Sequence, residues 1–236
     1  MKLKIILPVN TTEYNRLIEN SVQPVLTSEI SIDIEAISQG SPFIQSRLDL
    51  TMNAPHVVEL ARKAEKEGFD GIFVTDMDMC GVEAARQAVS IPVIGGFRAS
   101  AFTAMMLAKR FSILTVANVE EMQSEHTRNF GISENLASVR PLNIIVPNLA
   151  EDDARQLILE HLYQEALKAI ELDGANALIF GCTGFVRFAQ PLAAMLEDKL
   201  GKKIPVLDPN CCAISYLALL VKNNLSQSQL TYPKVA

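Results

Sequence analysis

Short apolar runs rich in Ile and Val alternate along this chain with longer stretches whose apolar residues recur at helical spacing. A brief continuous apolar run bounded by Gly, Pro or Asn suits a strand buried on both faces, whereas a period near 3.6 marks a helix with one wet side. The pattern predicts strands over residues 2–8, 30–36, 71–75, 93–94, 111–116, 138–141, 177–180 and 206–207. Between them it predicts helices over 11–21, 53–67, 81–88, 99–109, 119–129, 152–172, 185–200 and 213–223. Regular alternation of strand and helix argues for parallel α/β sheets rather than a sandwich or a bundle. The longest helix opens on "NLAEDDA", whose acids suit a helix N-terminus, and closes near Gly174. The polar tail "SQSQLTYPKVA" is expected to be mobile.

Two of these units resemble each other. "GFDGIFVTD" (68–76) aligns without gaps to "GANALIFGC" (174–182), and each is followed by a helix and then a short "IPV" strand, at 91–93 and 204–206. A glycine before an apolar strand is generic, but the shared downstream strand strengthens the case for an internal repeat. The alignment puts Asp76 and Cys182 at equivalent strand ends of two halves.

Composition narrows the setting. With 236 residues, 49% of them hydrophobic, the chain can bury a sizeable core. Its net charge of −6 and scattered Lys and Arg argue against nucleic acid as a partner. No apolar run approaches the roughly 18 to 20 residues of a bilayer span. The start "MKLKIILPVN" lacks the long apolar region and cleavage site of a signal peptide, so a cytoplasmic protein without membrane association is expected. The four cysteines, Cys80, Cys182, Cys211 and Cys212, have no paired spacing and are expected to be free thiols.

In parallel α/β sheets ligands gather beyond the carboxyl ends of the strands, where the repeat places Asp76 and Cys182. "GCTGF" (181–185) has the build of an anion-receiving turn, with glycines for tight turning, the Thr183 hydroxyl and a helix to follow. A cysteine at a helix N-terminus has its thiolate stabilised by the dipole, which makes Cys182 a candidate acid/base or nucleophile over a merely buried thiol. Asn10, Thr11 and Thr12 follow the first strand, and helix capping and the holding of a carboxylate or imide explain them equally well. His56, His126 and His161 read as surface residues, and the methionines of "TAMMLAK" as helix core or interface. Cys211 and Cys212 read as packing residues, with a place for one of them facing the pocket as the alternative, while Asp208 suits either a helix cap or a site wall.

"LPVNTTE", "GSPFIQSRLD", "GVEAARQAVSIPVIGG", "RFSILTVANV", "GANALIFGCTG" and "IPVLDP" occur in this order. Together they resemble the Asp/Glu/hydantoin racemase superfamily, nearest its hydantoin and allantoin racemase branch, over nearly the whole chain. The resemblance implies two pseudo-symmetric α/β lobes, each a parallel four-stranded sheet flanked by helices, with the active site between lobes. Lobe one would hold 1–95 plus 206–236, and lobe two 96–205. It implies proton exchange at an α-carbon by two cysteines, one per lobe, with neither metal nor organic cofactor. Cys182 matches the second cysteine. At the first position this chain has Asp76, and Cys80, four residues later, is not expected to take that place unless the loop folds back.

By the same resemblance Asn10, Thr11, Thr115, Thr183 and the backbone N–H groups near Met77, Asp78 and Gly184 would hold the substrate's oxygens. The substrate would be a small carboxylate or hydantoin-like molecule, and the protein a homo-oligomer. Asp76 could be a base if burial raises its proton affinity, with Asp78 adding repulsion, or it could bind a substrate N–H. The expected activity is therefore a racemase or epimerase. The alternatives are a one-sided decarboxylase or lyase of malonate-type acids using Cys182 as proton donor, and a non-catalytic ligand-binding descendant.

Overall fold

A computed structural model describes residues 1–143 and 154–235. The chain divides into two compact units, Met1–Ala99 with Asn210–Ala236, and Ser100–Pro209. The first unit's sheet contains β1 (Lys2–Leu7), β2 (Ser31–Ala36), β3 (Gly71–Val74) and β4 (Val93–Gly95) in the order β2-β1-β3-β4, every neighbouring pair parallel. Helices α1 (Asn15–Val22), α2 (Arg47–Lys66) and α3 (Val82–Ala88) connect the strands. Helix α4 (Gly96–Leu107) carries the chain into the second unit.

There, β5 (Phe111–Thr115), β6 (Leu136–Pro141), β7 (Ala177–Phe180) and β8 (Val206–Leu207) repeat the arrangement as β6-β5-β7-β8, again all parallel. They are joined by α5 (Glu120–Asn129), α6 (Arg155–Glu171) and α7 (Ala189–Leu200), and α8 (Pro209–Lys222) closes the chain's regular structure. This is the α/β class, with two parallel four-stranded sheets flanked by helices.

The repeat is visible in the hydrogen-bond register. β3 and β7 occupy equivalent positions of the aligned segments, and Gly68 and Gly174, just before them, share the left-handed φ of +76° and +75°. Ile72 pairs with Val93 in one sheet and Leu178 with Val206 in the other, so the two "IPV" strands hold the same register. β3 and β7 are buried at every position, as expected for strands covered on both faces. Leu3, Ile5, Leu7, Phe73 and Ile94 pack against Ile18 and Val22 of α1 and Ala213, Ile214 and Leu217 of α8.

Several boundaries differ from the sequence reading. α2 begins at Arg47 rather than near 53 and runs through Pro55. Its start is secured by Ser46, which accepts the Asp49 N–H at 3.1 Å, while the Asp49 carboxylate accepts the Ser46 hydroxyl at 2.6 Å. Such a cap helps to offset the roughly 3 kcal/mol penalty of an interior proline. α1 begins at Asn15, not 11. β8 pairs with β7, so the second unit extends to Pro209 and the final segment joins the first unit from Asn210, not from 206. The opening of the helix predicted at 152 lies outside the described residues.

The tail expected to be mobile is tied down. The Gln227 amide donates to the carbonyls of Val89 and Ile91 at 2.9 and 3.0 Å, and the Tyr232 hydroxyl donates to Glu83 at 2.5 Å. The methionine-bearing α4 leaves Met106 and Leu107 exposed, so Met106 is not core. No described helix is long and apolar enough to cross a membrane.

Candidate functional site

In an open parallel sheet, ligands bind beyond the carboxyl edge where strand order reverses direction. That place lies between β1 and β3 in the first sheet and between β5 and β7 in the second. The ends of these four strands and the segments leaving them carry Asn10 and Thr11, Asp76, Thr115 and Cys182. Each unit thus assembles its own half of the residue set.

In the first unit the chain leaves β3 through a loop in which Asp76, Met77, Asp78, Met79 and Cys80 are all buried. Met79 adopts a left-handed φ of 63°, which curls the loop back on the Asp76 carboxylate. The Cys80 N–H donates to Asp76 Oδ2 at 2.8 Å, and the amides of Asp78 and Met77 also donate to this carboxylate. Two of the N–H groups expected to receive substrate, those of Met77 and Asp78, therefore cradle Asp76 itself. Burial raises the Asp76 carboxyl above its ordinary value, and the three N–H donors oppose this without overcoming it.

The surroundings of Cys80 disfavour its thiolate. Burial first, then the charges of Asp76 and Asp78, push its thiol far above the ordinary range, and Sγ reaches the Leu50 carbonyl at 3.6 Å. At the end of β1, Asn10 is exposed and its backbone N–H donates to Ser41 O at 2.9 Å. Thr11 accepts the Glu13 N–H at 3.3 Å, forming a local turn rather than a helix cap, because α1 starts later. Asn53, missed in the sequence, pins this loop from α2 by donating to Pro8 O at 2.7 Å and accepting the Ser41 N–H at 2.7 Å.

In the second unit Cys182 follows β7, half-buried, with the Gly184 N–H directed at its Sγ at 3.4 Å. The expected helix dipole does not act here. α7 begins only at Ala189, and residues 182–188 form a packed turn instead. Phe185 anchors that turn edge-on to Phe180 and Phe188, and Arg155 donates to the carbonyls of Val186 and Arg187 at 3.1 and 3.0 Å. Thr183 and Gly184 are half-buried beside Cys182.

Thr115 is fully buried, and its hydroxyl donates to Gly181 O at 3.2 Å. It supports the Cys182 turn directly. Gln123 of α5, which no sequence signal singled out, donates to the same carbonyl at 2.6 Å.

The remaining candidates have the following surroundings. His56, His126 and His161 are half-buried on α2, α5 and α6, with His56 beside Glu59 at 3.2 Å and His126 stacked on Phe130. Cys211 Sγ donates to Ser21 O at 3.2 Å, and Cys212 packs against the first unit's core. Asp208 is half-buried immediately before α8. The cysteines form no disulfide, and the described residues contain no group of three or more His, Cys, Asp or Glu able to hold a metal ion.

The profile of the family described as Asp/Glu/Hydantoin racemase matches residues 3–217. The chain belongs to that family. A hydantoin racemase of Pseudomonas sp. (strain NS671) is 29% identical over 231 residues, covering 98% of this chain and 90% of that protein. Among solved structures, allantoin racemase from Klebsiella pneumoniae superposes with a TM-score of 0.90 at 24% identity, covering 100% of this chain and 95% of that one. Arylmalonate decarboxylase shares the fold more loosely, with a TM-score of 0.64 at 16% identity over 94% of this chain and 92% of that one. At these identities the two structures speak for the fold alone.

Proposed function

We propose that this family member is a cofactor-independent racemase or epimerase acting at the α-carbon of a small amino-acid derivative or hydantoin-like substrate. The observation that carries the reading is the register-matched equivalence of Asp76 and Cys182 in two sheets of identical strand order, within a racemase family. One lobe supplies the carboxyl and the other the thiol. In one direction the Cys182 thiolate takes the α-proton, the C–H electron pair passes into the adjacent carbonyl as an enolate, and the neutral Asp76 carboxyl returns a proton to the opposite face. In the other direction the Asp76 carboxylate takes the proton and the Cys182 thiol returns one.

A carboxyl of ordinary acidity is a poor base toward carbon, and the raised proton affinity of buried Asp76 narrows that gap. In this reading the side chains of Asn10, Thr11 and Thr183 hold the substrate's oxygens. The protein is expected to act in the cytoplasm as a homo-oligomer. Incubation of L- or D-hydantoins and N-carbamoyl amino acids in deuterated solvent tests the reading. Deuterium at the α-carbon with loss of optical rotation is expected, and Cys182→Ser or Asp76→Asn should abolish it. Full exchange in Cys182→Ser would overturn the proposal.

The replacement of a thiol by Asp76 favours one second reading, a decarboxylase in which Cys182 alone protonates an enolate formed by loss of carbon dioxide. Release of carbon dioxide from substituted malonates, without exchange on hydantoins, would select it.

A further inference from the structure

The turn carrying Cys182 contains a device that neither the motifs nor the family match assigns. Gly181, the residue before the thiol, has no room for a side chain. A Cβ there would lie 2.4 Å from Gln123 Oε1 and 2.6 Å from both Cβ and Oγ1 of Thr115. Glycine is thus imposed by packing, yet glycine is also the residue beside which a peptide unit rotates most easily. The structure counters this with three bonds. The Gly181 N–H donates to Leu114 O at 2.7 Å, and the Gly181 carbonyl receives both Gln123 Nε2 at 2.6 Å and Thr115 Oγ1 at 3.2 Å.

That carbonyl belongs to the peptide unit whose other end is the Cys182 N–H. In a trans peptide the two dipole ends point in opposite directions, so fixing the oxygen fixes the N–H. If the clamp were released, the peptide could turn its oxygen toward the thiol side. The negative end of the dipole would then oppose a thiolate.

Gln123 itself is not what stability alone would place here. It is fully buried, and its Oε1 has no hydrogen-bond partner among the described residues. A buried acceptor left unmade is destabilising, and an apolar side chain of similar shape would avoid it. The residue satisfies the Gly181 carbonyl at the expense of its own oxygen.

We propose that Gln123 is a positioning residue that, with Thr115, locks the Gly181–Cys182 peptide and so holds the Cys182 thiol in its proton-transferring state. This rests on the reading of Cys182 as the acid/base group. The clamp acts through one peptide unit, that between Gly181 and Cys182.

The test is Gln123→Met, which keeps the volume and removes both the donor and the orphan oxygen. Three readouts are taken on the full-length protein: the melting temperature, kcat and KM for α-deuterium exchange, and the pH dependence of iodoacetamide alkylation at Cys182, resolved by peptide mass. The melting temperature should hold or rise, kcat should fall on the order of tenfold to a hundredfold with KM little changed, and alkylation of Cys182 should need higher pH. Gln123→Glu should keep a donor only while protonated, so its exchange activity should decline additionally as pH rises.

Unchanged kcat and an unchanged alkylation profile in Gln123→Met would overturn the proposal. So would a fall in melting temperature that accounts for the lost activity, since that marks a purely structural role. The alkylation readout needs no turnover. A Cys182→Ser protein that still exchanges would sink the catalytic reading while leaving the clamp to be judged on alkylation alone.

Discussion

Gly181→Ala is the most direct probe of how packing controls the thiol. The new methyl would arrive 2.4 Å from Gln123 Oε1 and 2.6 Å from Thr115 Cβ and Oγ1, well inside van der Waals contact. Neither neighbour can step aside freely. Thr115 is a β-branched residue in β5, whose ladder bonds run to both β6 and β7, and Gln123 is fully enclosed. Overpacking of this kind costs about 1–3 kcal/mol. At roughly 2–4 °C per kcal/mol for a chain of this size, calorimetry should show a melting temperature lowered by several degrees.

Because relief of the clash moves the Gly181 carbonyl off its donors, α-deuterium exchange should fall by about tenfold or more. Gly68→Ala is the matched control. It meets nothing within 4 Å and carries only the strain of a left-handed φ of +76°, about 1–2 kcal/mol. It should therefore lose stability while keeping exchange. A Gly181→Ala protein that melts and exchanges like the parent would refute the packing argument outright.

Other outcomes follow from the same structure. The folded protein binds a proton at Asp76 more tightly than the unfolded chain does, so this group's contribution is fully present at acid pH and is lost as pH rises through the folded value. Asp76→Asn, which can still accept the Cys80 N–H, should therefore melt higher than the parent at neutral pH and converge with it in acid; a lower melting temperature at neutral pH would contradict this. Burial alone would raise Glu35, but hydrogen bonds from Lys4 and Lys63 hold it below its ordinary value, so that stabilisation is lost as pH falls through the folded value. Lys4→Met should make the acid-side decline in stability shallower, which an unchanged slope would disprove. Gln227→Ala frees the carbonyls of Val89 and Ile91 from the tail and should lower stability by about 1–3 kcal/mol, seen as a shifted urea midpoint at constant slope. Under the proposed two-sided proton exchange, Asp76→Cys should raise racemisation on hydantoins measured by loss of optical rotation, and no gain would show that a thiol at this position is not what limits the reaction.

The local alphabet of this protein was legible from the chain alone. β3 and β7 are uninterrupted apolar runs, because a strand covered on both faces has no wet side to mark. The gapless match of 68–76 to 174–182 located Asp76 and Cys182 at equivalent strand ends, since side-chain period and strand length are local properties. What local pattern could not reveal were the long-range partners. Gln123 lies far along the chain from Gly181 and on a polar stretch of helix, and nothing in its neighbours signals that it ends up fully buried on a carbonyl of β7's exit.

The start of α7 at Ala189 is hidden from local pattern for a similar reason. Phe185 and Phe188 have helical spacing, but aromatic packing and Arg155 hold them in a turn, so Cys182 answers to a glycine amide rather than to a helix dipole. The polar tail looked free because its partners lie on α3 and the chain beyond it. Sequence by itself determined which strands form, how they repeat and which two residues stand at their ends. Tertiary structure decided what surrounds those residues, because burial, the amide cradle at Asp76 and the clamp at Gly181 exist only once distant segments meet.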